Sequence, residues 1–435
     1  MLLSFKVENY RSFRDEAILD MEAASLKEYN ECLIQLGKKN FLPALAIYGK
    51  NGGGKSNIIR ALWFGVQFIK NAQRTQHEKA LVPVQPFELN DYSRSQPTAF
   101  EFNYLQDGIK YTYGFSAVKA KIMTEYLYHY PKGQKAMIFN REGQTFTFPM
   151  DNEKKKKEMI KEAVAPNQLF FAVSCTMNYH SCIAAMKWFR ESIVFSRDYV
   201  DIGRYLGEYG EDPDMLHAIV STAKIADLGI QDIKFEINNM DITQLTDIPE
   251  EIDEKTRNHI VTALAKLQEA LESAPNDAEG KLQVSEIKAT SFHSGQSKNG
   301  DDTTYPLAFA DESDGTRRLM ALAPAIERTL KNGGLFIVDE LEREIHPLLM
   351  EYIINRYQNK ESNPNQGQLV FTTHSTELMS LEVLRRDQIN FVDKDRKTGV
   401  SELYSMKEFS PRKDENIHKG YLLGKYGAIP RLEEV

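Results

Sequence analysis

The chain has 435 residues, 42% hydrophobic and 27% charged, with a formal net charge of −8. That length suggests two or three structural units, and the acidic balance excludes a surface coated in positive charge for nucleic acid while leaving room for a local basic groove. Cys32, Cys175 and Cys182 have no tight C-x-x-C spacing, and no window approaches the ~20 apolar residues needed to span a bilayer, so a disulfide framework, a structural zinc site, a signal peptide and a membrane span are all unexpected, and a cytoplasmic, reducing compartment is the default.

Residues 1–21 read as two short strands, with Phe5 and Val7, then Ala17, Leu19 and Met21, alternating with polar residues. Leu42–Tyr48 is an apolar run ending at Gly49, and Ile58, Ile59, Leu62, Val66 and Ile69 follow at helical spacing. Between 86 and 150, aromatic-rich alternating segments broken by turns such as Gln106-Asp107-Gly108 predict antiparallel strands. The run DNEKKKKEMIKEAV from Asp151 predicts a helix whose lysines form a solvated face. Residues 180–275 read as mostly helical, including an arm over Ile252–Leu271 that stops at Ser273-Ala274-Pro275, and 294–304 reads as a polar loop. Leu335–Val338 and Gln368–Thr373 read as buried parallel strands, and Gln388–Val392 with Val400–Tyr404 as one more strand pair. The expected division is 1–150, 151–300 (mostly helical insertion) and 301–435.

GKNGGGKS (49–56) fits G-x-x-x-x-G-K-[ST] between a strand and a helix, the context in which glycine backbone N–H groups wrap a phosphate. Lys55 would reach the β- and γ-phosphates, and the Ser56 hydroxyl would bind Mg²⁺. LFIVDE (335–340) delivers two carboxylates to the end of a buried strand, where ligands sit in open α/β sheets. Asp339 would hold Mg²⁺ and Glu340 would deprotonate the attacking water. His374, at the end of LVFTTH, is placed to contact a γ-phosphate. In ADESDGTRRLMAL (310–322), Ser313 and Gly315 open a helix carrying Arg317 and Arg318, either as an anion site or as an ordinary N-cap.

This order of motifs, with the opening FKVENYRSF, resembles the ABC-type ATPase heads, especially the structural-maintenance-of-chromosomes (SMC) and recombination-repair group. It is most similar to AAA-type ATP-binding proteins of bacterial defence loci: the overcoming-lysogenization-defect ATPases, restriction-linked ATPases and the ATPase subunit of the PARIS anti-phage system. RKDENIHKGYLLGKYGAIP (412–430) is similar to the ending of that group, while 150–300 carries little resemblance. The resemblance implies an α/β P-loop NTPase of ABC-ATPase-head type with an antiparallel β lobe and a helical insertion, and ATP rather than GTP. Gly49, Asn51, Gly52, Gly54, Lys55 and Ser56 match its P-loop, with Gly53 and Asn57 in the same stretch; Ser313 and Gly315 match its signature; Asp339, Glu340 and His374 match its Walker B pair and switch histidine. Arg11 matches a basic position near the nucleotide. The resemblance further implies a homodimer or higher homo-oligomer with ATP sandwiched between heads. The signature reads ESDGTRR, LEREIHP follows the carboxylates, and Gln85 is either the glutamine-loop ligand of Mg²⁺ or a turn residue.

The leading functional expectation is an ATPase that senses and scaffolds in phage defence, holding a separate effector, a nuclease, until phage or DNA triggers it. The residues beyond His374 are too few for a fused nuclease of the topoisomerase-primase type, and Asp393 and Asp395 read as solvated turn residues. The alternatives are a DNA-repair or DNA-clamp ATPase with a basic groove involving Lys154–Lys157, and a non-enzymatic ATP-gated module, against which Glu340 argues.

Overall fold

The computed structural model describes residues 1–26, 29–71, 80–150, 153–196, 212–226, 229–241, 283–409, 411 and 415–430. In chain order come strands β1 (Leu2–Glu8), β2 (Ala17–Asp20), β3 (Ile34–Leu36), β4 (Lys39–Phe41) and β5 (Ala44–Tyr48), then helices α1 (Lys55–Asn71) and α2 (Asp91–Ser95). Five strands follow: β6 (Thr98–Gln106), β7 (Ile109–Val118), β8 (Lys121–His129), β9 (Ala136–Glu142) and β10 (Thr145–Thr147). Next are α3 (Lys154–Ala163), α4 (Phe170–Thr176), α5 (His180–Glu191) and β11 (Ile193–Ser196). Then come α6 (Pro213–Ala226), β12 (Ile230–Asp241), β13 (Gln283–Gln296), β14 (Asp302–Ala308) and α7 (Asp314–Asn332). The chain closes with β15 (Leu335–Val338), α8 (Pro347–Gln358), β16 (Gln368–Thr372), β17 (Ile389–Lys394), β18 (Ser401–Ser405) and α9 (Ile417–Leu422). Among the described residues, no helix is long and apolar enough to cross a membrane.

Two compact units divide the chain: residues 1–200 with 322–435, and residues 201–321. The first holds two large sheets. One is six-stranded in the order β11–β15–β16–β5–β17–β18, parallel except for the last pair. The other is seven-stranded and antiparallel, in the order β10–β9–β8–β7–β6–β1–β2. The fold is therefore α/β with a P-loop core sheet and an antiparallel lobe. β5, β15 and β16 are buried throughout, as continuous apolar runs require when both faces of a parallel sheet are covered. Ile58, Ile59, Leu62, Val66 and Ile69 of α1 are buried, the i, i+3/i+4 stripe of an amphipathic helix. Its Phe64 and Phe68 meet Phe100 and Phe115 of the antiparallel sheet at centroid distances of 5.4 and 5.6 Å. Gly65 lets the two elements close, because a Cβ there would sit 2.7 Å from the Phe102 ring.

The antiparallel lobe is held by a buried polar knot. Both oxygens of Glu125 accept from backbone N–H groups, of Phe170 (2.7 Å) and Phe171 (2.8 Å), and the side chain also accepts from Tyr113 (3.0 Å) and Arg141 (3.3 Å). Burial raises the Glu125 carboxyl pKa, while Arg141, the two N–H groups and Tyr113 oppose that rise. Breaking one side of such a pair leaves the other charge buried and uncompensated. Glu125→Ala is therefore expected to cost about 3–5 kcal/mol, read from the shift of a urea unfolding midpoint at constant slope. A loss under about 1 kcal/mol would show that the knot is not a strong element of stability.

The second unit differs from the helical insertion expected over 151–300. α3, α4 and α5 belong to the first unit, and the described part of the second carries α6 and a three-stranded antiparallel sheet, β12–β13–β14. Ile233, Phe235 and Ile237 alternate with Lys234 and Glu236, a two-residue period that favours a strand over a helix. The stretch expected as a polar loop over 294–304 is a hairpin in which Ser294 pairs with Thr304. The expected arm over Ile252–Leu271 lies outside the described residues. The lysines of α3 do not share one solvated face: Lys154 and Lys155 are exposed, but Lys157 is fully buried. Helical spacing puts Lys157 beside Ile160 on the buried stripe, where its Nζ donates to the Pro149 carbonyl at 3.3 Å.

Candidate functional site

Parallel pairing sets the C-terminal ends of β15, β16 and β5 side by side: Val338 is opposite Phe371, and Thr372 is opposite Ile47. Residues just beyond the strand ends, Asp339, His374 and Gly49, therefore converge from segments far apart in sequence, at the edge where open α/β sheets bind ligands.

The loop 49–54 fits against the β17–β18 hairpin so closely at Gly49 and Gly54 that a side chain is excluded there. A Cβ on Gly49 would lie 2.3 Å from the Val392 carbonyl oxygen, and one on Gly54 would lie 2.6 Å from Ser401 Oγ. Ser401 Oγ donates to the Gly53 carbonyl at 2.7 Å, and Ser401 N–H to the Ser12 carbonyl at 2.7 Å. Asn51 and Gly52 form the exposed tip. α1 starts at Lys55, and the Gly54 carbonyl accepts the Asn57 N–H at 2.9 Å. The Asn57 side chain donates to Ser12 Oγ at 2.8 Å.

Lys55 is buried, and its Nζ lies 2.8 Å from the Gly49 carbonyl and 2.8 Å from His374 Nε2. Burial lowers the Lys55 pKa, against the pull of Glu342, Asp339 and Glu340. Burial and then the Lys55 charge lower that of His374. The imidazole is thus neutral near pH 7, with an unprotonated nitrogen to accept from the ammonium. Ser56 Oγ donates to Asp339 Oδ1 at 3.2 Å, and Thr372 Oγ1 donates to the same oxygen at 2.6 Å. Thr372 Oγ1 in turn accepts the Glu340 N–H at 2.8 Å. Glu340 is exposed and has φ of +54°, a left-handed conformation that non-glycine residues adopt at a cost. Ser56 and Asp339 are hard oxygen donors on one shared hydrogen bond, which fits Mg²⁺ better than a softer metal.

Arg11 and Asn57 line a cavity of about 300 Å³ together with Ser12, Gln85 and Phe87. The Gln85 carbonyl accepts the Arg11 N–H at 2.8 Å, while no hydrogen bond joins the Gln85 side chain to Ser56 or Asp339 among the described residues. Ser313 and Gly315 lie in the second unit, at the start of α7. Ser313 is exposed, and its Oγ accepts the Thr316 N–H at 3.1 Å, which makes it an N-cap.

Asp393 is not a solvated turn residue. It sits on β17 and pairs with Lys50 of the glycine loop at 2.7 Å. Burial pushes its carboxyl pKa up, but Lys50 and the N–H groups of Lys394 and Ala428 hold it below the ordinary value. A partial signal lies in the sequence: INFVD (389–393) ends in an acid as LFIVD does, though Asn390 interrupts its apolar run. Asp395, by contrast, is exposed and caps its own turn through Thr398. Thr372, Ser12 and Ser401 had no motif to mark them.

A family model described as "AAA domain, putative AbiEii toxin, Type IV TA system" matches residues 45–380. No curated protein matches the sequence. Among solved structures, the chain is similar to an SMC head domain from Thermotoga maritima, at 13% identity over 93% of this chain and 98% of that one, with a TM-score of 0.37. It is similar to an Smc head domain bound to the C-terminal domain of ScpA derived from Pyrococcus furiosus, at 12% identity over 94% and 98% of the two chains, with a TM-score of 0.36. It is also similar to the structure of the recombination mediator protein RecF-ATPrS in the RecFOR pathway, at 12% identity over 93% and 98%, with a TM-score of 0.32.

Proposed function

The chain belongs to this AAA-domain family, and from that premise we propose that it is a Mg²⁺-dependent ATP hydrolase whose ATP-driven self-association controls a separate effector, a nuclease, in defence against phage. The observation that carries the enzymatic part is the convergence of Lys55, Ser56, Asp339, Glu340 and His374 at one sheet edge. In this reading the 49–54 loop and the first turn of α1 cradle the phosphates with N–H groups, and Lys55 leaves His374 for the β- and γ-phosphates. Ser56 and Asp339 hold Mg²⁺, which when bound supplies positive charge beside the phosphate oxygens. Glu340 takes a proton from the attacking water, and His374, released from Lys55, turns toward the γ-phosphate. Arg11, with Ser12 and Asn57, lines the place for the rest of the nucleotide, and Gln85 is the candidate further ligand of Mg²⁺. Ser313 and Gly315, exposed or half-exposed on a helix N-terminus, offer the γ-phosphate of a second copy an N–H-rich contact.

The defence role rests on the likeness of the motifs and the 412–430 segment to ATPases of defence loci, and on the toxin–antitoxin description of the family. The test of the assembly is the mass of the protein in solution with and without Mg²⁺-ATP. An ATP-dependent rise to a dimer or larger species, abolished by Ser313→Arg, supports sandwiched heads. A mass indifferent to ATP removes assembly from the mechanism. Nuclease activity in the purified chain alone would sink the separate effector.

A second reading, an ATPase acting directly on DNA, has one observation of its own. Lys394 at the end of β17 and Arg396 and Lys397 on the turn after it meet Lys50 around a cavity of about 600 Å³ beside the glycine loop, which Asp395 also lines. A duplex affinity that falls steeply with salt and strengthens with ATP would favour it.

A further inference from the structure

Glu342 lies on the turn after β15, two residues beyond Glu340, and has no part in the chemistry above. Its Oε1 accepts the backbone N–H of His374 at 2.6 Å. Its Oε2 is buried and has no hydrogen-bond partner among the described residues. The hydroxyl of Tyr48, the last residue before the glycine loop, is in the same condition. Of the charges acting on Tyr48 and on Lys55, that of Glu342 comes first in both cases. One carboxylate thus bonds the β16 end that carries His374 and acts through its charge on Tyr48, at the β5 end that leads into the glycine loop, and on Lys55, which His374 itself engages.

The connection to His374 has a particular form. The chain there is fixed before the histidine, where Thr373 N–H donates to the Ile47 carbonyl at 3.0 Å, and after it, where Ser375 N–H donates to Thr373 Oγ1 at 3.0 Å. The His374 amide between them is held by Glu342. Its imidazole is engaged by Lys55, so any phosphate that takes Lys55 also frees the ring. A freed ring is useful only if its backbone stays in place, and a charge-assisted N–H to carboxylate bond supplies that constraint. The same negative charge compensates Lys55 in the absence of phosphate and opposes phosphate once it arrives.

We propose that Glu342 is a positioning residue for ATP turnover: it clamps the backbone of His374 across the site while its charge balances Lys55 until a phosphate takes over. This rests on the ATPase reading given above. Two variants separate the roles. Glu342→Gln keeps an acceptor for the His374 N–H and removes the charge; Glu342→Ala removes both. Glu342→Ala is expected to lower kcat about tenfold or more with little change in KM, the scale of one lost charge-assisted hydrogen bond. Glu342→Gln is expected to keep kcat within about threefold of wild type and to bind a non-hydrolysable ATP analogue about threefold more tightly or better, since a charge that repels phosphate is gone. In protein labelled with ¹⁵N-histidine, assigned with a His374 variant, the His374 amide proton should move upfield in Glu342→Ala and much less in Glu342→Gln.

Wild-type kcat in Glu342→Ala, or equal losses in the two variants, would overturn the clamp. Unchanged or weaker analogue binding by Glu342→Gln would overturn the charge-balancing role, even if Glu342→Ala fails to fold. If the wild type itself does not turn over ATP, the ATPase reading fails separately, and a His374 amide shift indifferent to both variants would then reject the clamp on its own.

Discussion

Glu340→Gln is expected to stop ATP turnover while leaving ATP bound: phosphate release should fall by about 10²-fold or more, the usual worth of a positioned general base, with analogue affinity unchanged. The substitution conserves size and replaces only the atom that takes the proton. The backbone keeps its N–H bond to Thr372 Oγ1, and the exposed side chain touches neither Lys55 nor Ser56 in any described hydrogen bond, so the phosphate and Mg²⁺ groups stay where they are. Asp339 would not give this result, because it shares hydrogen bonds with both Ser56 and Thr372 and its loss disorders the cation site. The measurements are steady-state phosphate release and the fraction of radiolabelled ATP retained through gel filtration. Retained ATP with a locked, larger species joins the base to the assembly cycle. Hydrolysis at the wild-type rate would mean that another group activates the water.

Much of this site is legible in the sequence because its signals are local. Gly49 to Ser56 carry their spacing in eight consecutive residues, and Asp339 is announced by the apolar run before it. Parallel strands buried on both faces must be apolar throughout, so an acid at the end of one stands out. Asp393 obeys the same rule only in part and was misread, because KDRKTG after it has the composition of a turn. Glu342 was invisible for a different reason. Its partner is a backbone N–H 32 residues further on, and a backbone group has no letter in the sequence. The second unit is hard to read for another reason: the alternation in β12 is clean only over Ile233–Ile237, a short signal directly after the helical stretch of α6. Lys157 shows the converse, a charge placed inside by the helical position it occupies.

Lys55→Ala is expected to abolish nucleotide binding, weakening it by about 10²-fold or more, because two charge-assisted bonds to phosphate are lost together. Its effect on the empty protein is small by comparison. Burial lowers the Lys55 pKa even with Glu342, Asp339 and Glu340 nearby, which means the fold disfavours the ammonium it holds. Removing that charge relieves a burial cost, while what is given up is the Nζ–H bonds to the Gly49 and Lys50 carbonyls and to His374 and the positive charge that offsets Glu342. These effects oppose each other, and the unfolding temperature of the unliganded variant should stay close to that of wild type. A ligand that binds the native state raises stability by RT ln(1 + [L]/Kd), so Mg²⁺-ATP should raise the wild-type Tm and leave that of Lys55→Ala unmoved. The pair of results separates function from folding: a variant that is as stable as wild type but blind to ATP has lost the phosphate contact alone. A lowered Tm with ATP response intact would instead make Lys55 a structural cation and move the phosphate site elsewhere.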